Sequence, residues 1–364
     1  MKRASRSLVL AVALALVPLA RADDLIDAYR PAEKSDPQLA AALNALRAVR
    51  EADDQARAPL LPQVSANANI DRSRFDNTDG PTNYSTNEVY GVALTQTVYN
   101  RELFVGLGQA GSRIAQAEAD YEAARQDLAL RVAQRYFEVL SARAGLEFVR
   151  ADKKATQRQL EQARQRFEVG LIAITDVREA QARYDQTVAQ EIVAENQLDS
   201  AREALTEVTG VEHGALADLQ EQVPLQRPDP DDMSEWVSTA EEQNLQVVAR
   251  RAAAEVARQQ VERQRSGHYP TVNLRASHEL QDINFGGIQA IDRQESVIGL
   301  QAELPLFEGF GTVSATREAM HLFHQAQDQL EQAHRSTVRS ARDAYRNVTA
   351  RISQVRALAQ ALES

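Results

Sequence analysis

Residues 169–177 read V-G-L-I-A-I-T-D-V, in a stretch that has no proline between Pro81 and Pro224. What flanks this glycine decides the architecture. Upstream, Leu128, Val132, Tyr136, Val139, Leu146, Val149, Leu160 and Phe167 recur at three- and four-residue spacing, with alanines between them. That is a coiled-coil-like stripe whose small residues permit close helix approach. It predicts a helix from about Leu103 to Glu168, and at 1.5 Å per residue such a helix is roughly 100 Å long. Downstream, Ile174, Val177, Tyr184, Val188, Leu198 and Leu205 mark a second helix over 171–209 that closes at Gly210. The glycine therefore turns the chain between two antiparallel helices, and 169–177 is the tip of a hairpin.

The chain repeats itself at a constant offset of 208 residues. Gln38, Arg50, Arg57, Pro62, Val64 and Ala68 meet identical types at Gln246, Arg258, Arg265, Pro270, Val272 and Ala276. The register continues without gaps through Val89/Val297, Gly91/Gly299, Asp120/Asp328 and Arg143/Arg351. This is an internal duplication. The reading divides the chain into a signal peptide at 1–22, a first repeat at 23–210, a linker at 211–240 and a second repeat at 241–364. Pro224, Pro228, Pro230 and several acids mark the linker.

Each repeat opens with a helix, over 32–57 in the first, ending before Pro59 and Pro62. A strand follows in which Val64, Ala66, Ala68 and Ile70 alternate with Ser65, Asn67, Asn69 and Asp71. After a polar loop, Tyr90, Val92, Leu94 and Val98 alternate with Gly91, Ala93, Thr95 and Thr97. The second repeat gives Val272, Leu274 and Ala276, then Ile298, Leu300, Ala302, Leu304 and Leu306, each with polar or small neighbours between. Strands of roughly 10–13 residues are long enough to cross a bilayer with a tilt. The apolar face, namely Val64, Ala66, Ala68, Ile70, Val92, Leu94, Val98, Val272, Leu274, Leu300, Ala302 and Leu304, is the expected lipid face. The polar face suits a water-filled lumen. Phe75, Tyr84, Tyr99, Tyr269, Phe285 and Phe307 near strand ends fit an interfacial girdle, an arrangement also common in soluble sheets.

Composition fixes the compartment. Lys2, Arg3 and Arg6 precede an apolar run from Leu8 to Ala20, and Ala20-Arg21-Ala22 fits a cleavage site. The run is too short to span a bilayer as a helix. Cleavage after Ala22 removes four of the 41 basic residues and none of the 52 acidic ones, leaving a formal charge of about −15. That balance argues against nucleic acid or an anionic lipid surface as partner. Cysteine is absent, which excludes disulfides, thiol catalysis and thiolate metal sites. Four strands cannot close a barrel, so an exported chain of this kind is expected to share one. Two copies give eight strands and three give twelve, and a conducting pore favours three or more.

V-G-L-I-A-I-T-D-V resembles the helix-tip motif of the TolC family of outer-membrane channel-tunnels. Gln329-Leu-Glu-Gln-Ala-His-Arg-Ser-Thr-Val, Leu304-Pro-Leu-Phe-Glu-Gly and His268-Tyr-Pro-Thr-Val resemble other stretches of that family. The resemblance covers essentially the whole mature chain. It implies an α+β membrane protein with long α-helical coiled-coil hairpins and two β-hairpins per protomer. Three protomers would form a 12-stranded β-barrel in the outer membrane and an α-helical tunnel in the periplasm. It implies a homotrimeric exit duct for multidrug efflux or type I protein secretion, with no catalysis and no cofactor. The implied partners are a periplasmic adaptor and an inner-membrane efflux or ABC transporter. Val169, Gly170 and Leu171 match the groove where adaptor hairpins dock, and Thr175 and Asp176 match the periplasmic gate. A plain structural reading stands beside this one: Gly170 turns the chain, and Leu171 and Ile174 cap the hairpin core. By the offset, the counterpart of 169–177 falls at 377–385, beyond Ser364. The expectation is a C-terminally incomplete second repeat with complete strands and an incomplete gate, in which Asp176 lacks its partners. The alternative class is a periplasmic coiled-coil adaptor with no pore of its own, which would carry one hairpin and no bilayer-length strand pairs.

Other motifs fit poorly. Gly106-Leu-Gly-Gln-Ala-Gly111 matches a dinucleotide fingerprint, but its strand is amphipathic and over 50 helical residues follow. A bend between barrel and helix accounts better for these glycines. His321, His324 and His334 lack a partner at metal-site spacing, and Asp229, Asp231 and Asp232 read as solvated linker charge.

Overall fold

The computed structural model describes residues 22–76, 82–220, 224–285 and 288–363. Residues 1–21 of the expected signal peptide and residues 77–81 of the polar loop lie outside them. The elements run α1 (Leu25–Ser35), α2 (Pro37–Arg57), β1 (Gln63–Phe75), β2 (Asn83–Tyr99), α3 (Arg101–Glu168) and α4 (Ile174–Thr209). Then follow α5 (Met233–Gln243), α6 (Leu245–Arg265), β3 (Thr271–Phe285), β4 (Ile288–Glu303) and α7 (Gly311–Glu363). Two compact units divide these elements, one holding residues 22–37 and 125–220 and the other 38–124 and 224–363.

The repeat is visible in the order of elements and in their breaks. The first helix read over 32–57 is in fact two, α1 and α2, separated at Asp36 (φ −64°, ψ 119°). Asn244, at the same place in the second copy, has φ −64° and ψ 122° and separates α5 from α6. Short polar residues favour such breaks because their side chains compete for local backbone donors. Asn244 accepts from the N–H groups of Gln246 and Val247, while the Asp36 carboxylate receives both guanidinium nitrogens of Arg131 at 2.9 and 3.2 Å. Asp36 is buried, so this two-pronged pair does what a lone carboxylate there could not: it satisfies a desolvated charge.

In the first unit the stripe read from sequence is the core. Leu128, Val132, Tyr136, Val139, Leu146 and Leu160 of α3 are buried, as are Leu198 and Leu205 of α4. Phe167, the last residue of the stripe, is exposed. Tyr136 is the polar hub: its hydroxyl reaches the carbonyls of Ala217 (2.9 Å) and Asp23 (3.2 Å), beside a parallel bridge between Asp23 and Leu216. Burial, its main perturbation, raises the Tyr136 phenol above its ordinary value. In the second unit β1, β2, β3 and β4 form one antiparallel meander in that order, and the two hairpins join through β2 and β3. Beyond the strand ends, α3 is tied to α6 by Gln109, whose amide donates to the Val256 carbonyl and the Gln260 side chain at 3.0 Å each. Arg263 donates to Glu102 at 2.9 Å in the same layer.

The linker is more structured than its composition suggests. Asp232 is the N-cap of α5, accepting from the Ser234 N–H at 2.8 Å, and Asp231 holds Arg227 (2.9 Å) and the Tyr345 hydroxyl (2.6 Å). Asp231 and Asp232 are exposed, as the reading of solvated linker charge expects, and they also anchor local structure. The Tyr345 hydrogen bond, with Arg227 second, keeps the Asp231 carboxyl below its usual range.

Gly210 closes α4 with φ +70°, and a Cβ there would lie 2.7 Å from Ser35 Oγ. That hydroxyl cannot swing aside freely, because it bonds to the Thr209 carbonyl at 2.7 Å and to the Pro31 carbonyl at 2.9 Å. Gly210→Ala is therefore expected to destabilise the protein by at least about 1–2 kcal/mol from the left-handed backbone alone. Leu128→Ala, at a fully buried core position, should cost about 2–5 kcal/mol. Thermal melts followed by circular dichroism check both.

Candidate functional site: the hairpin tip and the two-faced sheet

The tip is built by backbone chemistry. Helix α3 ends with Gly170 at φ +77°, its N–H bonding the Phe167 carbonyl at 2.9 Å, while the Leu171 N–H reaches back to the Arg166 carbonyl at 2.8 Å. This pair of bonds is a Schellman cap, which needs a residue tolerant of the left-handed region. The plain structural reading of the glycine is thus satisfied. Yet nothing lies within 4 Å of where a Gly170 Cβ would be, and Val169 and Leu171 are 71% and 73% exposed. Neither side chain caps the core; both project from it. Ile174, read as a possible core cap, is also exposed.

Thr175 and Asp176 stand in the first turn of α4, exposed. The Asp176 carboxylate accepts from the Ala173 N–H at 3.1 Å, the return half of a capping box. An acid in a first turn also complements the helix dipole. Asp176 therefore has a local partner within its own hairpin.

Polar rungs bind the two helices behind the tip. Arg164 donates to Gln181 at 2.6 Å and Thr156 meets Thr187 at 3.0 Å. Arg150 and Lys153 converge on Glu191, with Glu195 a second acceptor for Arg150 at 2.8 Å. Lys153 first, then Arg150, holds the Glu191 carboxyl below its usual value. A lowered folded-state value means that stability is present above the unfolded value of 4.5 and lost as pH falls through the folded value. Acidification below about pH 4.5 should loosen this rung, and Glu191→Gln should flatten that pH dependence. Hydrogen exchange of α4 amides across the range reads the effect.

The sheet has two unlike faces. The ladder sets Val64 opposite Leu94, Ala66 opposite Val92 and Ala68 opposite Tyr90. It continues with Leu94 opposite Ala276, Leu274 opposite Leu300 and Val272 opposite Ala302. Ten of the twelve residues read as the lipid face thus fall on one face. Val98 departs from it: a bulge between Thr97 and Tyr99 makes it the extra residue, and Tyr99 takes the place opposite Val272. Leu304 lies one residue past the end of β4. The strands, at 13, 17, 15 and 16 residues, exceed the lengths read from alternation. Their added outer turns are polar, and alternation weakens there.

Alternation in the third and fourth strands also passed over His278 and Ser296, which sit on the apolar face opposite each other and share a 2.8 Å hydrogen bond. That bond lets two polar side chains remain among apolar neighbours. The other face carries Ser65, Asn67, Asn69, Arg275, Glu279, Gln301 and Glu303. Of the expected girdle residues, Phe75, Tyr84, Tyr99, Tyr269 and Phe307 are exposed, and the side chain of Phe285 lies outside the described set.

The remaining motifs acquire plain places. Gly106, Gly108 and Gly111 lie within α3, and the strand-to-helix bend falls ahead of them at Asn100. His324 bonds Gln327, and His334 is 3.9 Å from Glu241. Among the described residues no three His, Asp or Glu side chains are grouped to hold a metal ion, and no helix is long and apolar enough to cross a membrane.

A sheet with one greasy and one wet face, followed by helices of 68 and 53 residues, is the plan against which known proteins can be compared. The family model described as outer membrane efflux protein matches residues 28–211 and 236–364. The chain belongs to the outer membrane efflux protein family. It is 37% identical over 346 residues to the outer membrane protein TolC of Vibrio cholerae, an alignment covering 94% of this chain and 78% of that one. The alkaline protease secretion protein AprF of Pseudomonas aeruginosa is 29% identical, with 93% and 73% covered. The crystal structure of the outer membrane protein VceC of Vibrio cholerae shares the fold, with a TM-score of 0.75 at 21% identity over 93% of this chain and 82% of that one. The protein of this family described here is an outer-membrane channel for efflux or secretion, and the resemblance drawn from its motifs holds.

Proposed function

We propose that three copies of this chain close a 12-stranded barrel in the outer membrane, continued by an α-helical tunnel in the periplasm. It is a passive exit duct for multidrug efflux, type I secretion or both, and it catalyses no reaction. An inner-membrane efflux or ABC transporter supplies the energy, and a periplasmic adaptor joins the two. The observation that carries this reading is the four-stranded sheet, apolar on one face and polar on the other, with the outer edges of β1 and β4 unpaired among the described residues. Such a sheet can enter a membrane only as part of a closed ring, because unpaired backbone groups cost several kcal/mol each in hydrocarbon. An adaptor would have no use for strands of bilayer length.

At the hairpin tip, Val169, Gly170 and Leu171 form the adaptor-docking surface. The open space over Gly170 admits a second backbone, and the exposed Val169 and Leu171 offer an apolar grip that the hairpin itself does not use. Thr175 and Asp176 belong to the periplasmic entrance. Asp176 can serve there only with the carboxylate oxygen that its cap hydrogen bond leaves free.

Two measurements test the reading. The mature protein should fractionate with the outer membrane and migrate in mild detergent as a heat-labile trimer; extraction by buffer alone as a folded monomer would overturn it. Leu171→Ser should leave melting nearly unchanged, because the side chain is exposed. The same variant should lower export about tenfold or more, the loss typical of an anchor residue at an interface. Unchanged export would remove the tip from the docking surface.

A further inference from the structure

The free edges of β1 and β4 carry enough information to fix how neighbouring copies meet. We propose that β4 of one copy pairs antiparallel with β1 of the next in a single register, with Ile298 opposite Ile70, Leu300 opposite Ala68 and Ala302 opposite Ala66. This rests on the three-copy barrel proposed above and adds to it a specific seam.

Within the chain an apolar row passes straight through the sheet, from Val64 to Leu94, Ala276 and Ile298. On crossing the seam the row must return to the same face of β1. A shift by one residue would turn every side chain to the wrong side, so the row comes back displaced by an even number of residues. Displacement per copy sets the tilt of the strands. With about 3.4 Å of rise per residue and about 4.8 Å between strands, displacements of two, four, six and eight give tilts of about 20°, 35°, 47° and 55°. Barrels in membranes tilt by about 35–45°, so four falls at the lower end of that range, six just above its upper end, and two and eight well outside it.

Side chains decide between four and six. A displacement of four sets Glu295 directly opposite Asp71, and like charges facing each other across a ladder are destabilising. It also sets Ser296 against Ile70. Its one favourable charge pair, Asp292 with Arg74, competes with the bond Arg74 already makes to Asp76 at 3.1 Å. A displacement of six places Glu295 opposite Ser73 and leaves intact its own-strand pair with Arg293 at 2.7 Å. The one like-charge meeting in this register, Asp292 with Asp76, falls one residue past the end of β1, where Arg74 already holds Asp76 at 3.1 Å. On the other face it lays the apolar stretch of β4, which begins after Ser296, onto that of β1, which ends before Arg72. Both polar boundaries then coincide, Ser296 facing Arg72.

The absence of cysteine makes the register directly readable. Asn67→Cys is combined separately with Gly299→Cys, Gln301→Cys and Glu303→Cys, which report displacements of four, six and eight on the polar face. A disulfide needs Cα atoms within about 7 Å, and a two-residue slip exceeds that reach. Under oxidation in the outer membrane, the Asn67/Gln301 pair should yield linked oligomers up to the trimer, about tenfold more than either other pair, reversed by reductant. The reduced variants are run in mild detergent to show that each still assembles. Trimers that link through Gly299 or Glu303, or through none of the three, would overturn the register while leaving the barrel standing. Failure of the unsubstituted chain to form a trimer would overturn both.

Discussion

Everything in this protein depends on the backbone edges of β1 and β4, which no strand pairs among the described residues. A strand edge in water is merely a hazard, since solvent satisfies its N–H and C=O groups. In hydrocarbon it is prohibitive. The amphipathic sheet cannot therefore be both membrane-embedded and solitary, and assembly is a condition of insertion. The duplication follows the same logic. Two hairpins joined through β2 and β3 bury two of the four edges within the chain and leave only two to be matched between copies. A single-repeat ancestor would have had to match twice as many edges between chains.

The helices solve a different problem. A helix of 68 residues gains little from its termini, so its stability must come from a continuous packed stripe and from rungs to its neighbours. The apolar stripe of Leu128, Val132, Tyr136 and Leu146 supplies the first. Pairs such as Arg150 and Lys153 with Glu191 supply register, a role that charged groups perform better than apolar ones because a slip of one turn leaves them unpartnered. Where these devices stop, at 169–174, the chain exposes Val169, Leu171 and Ile174 and closes with a left-handed glycine. The tip is accordingly the least self-sufficient part of the hairpin, and that makes it suited to contact another protein.

Much of this was legible in the residues because it is periodic. The hairpin stripe, the face of each strand and the 208-residue offset are repeats, and repeated patterns survive local exceptions. The exceptions themselves were not legible. Nothing in T-V-Y-N announces the bulge that displaces Val98, since its cause is the pairing of β2 with β3, more than 170 residues away. The break at Asp36 depends on Arg131, and the engagement of Asp231 depends on Tyr345, partners that sequence spacing cannot supply. At the tip, the Schellman bonds explain why residue 170 is glycine whether or not anything docks there. The capping of Asp176 likewise gives that acid a reason to exist apart from any gate.

At the tip, a residue's identity and its function are separable. A glycine held at φ +77° by its own cap cannot tell by its identity whether a partner approaches it. The discriminating feature is the emptiness around it. At Gly210, also left-handed, a Cβ would meet Ser35 at 2.7 Å, so the structure itself requires a small residue there twice over. At Gly170 the backbone angle requires it and the packing does not. Two glycines with the same left-handed backbone thus differ in what surrounds them, and of the two only Gly170, between two exposed apolar side chains, faces open space that a second chain could enter.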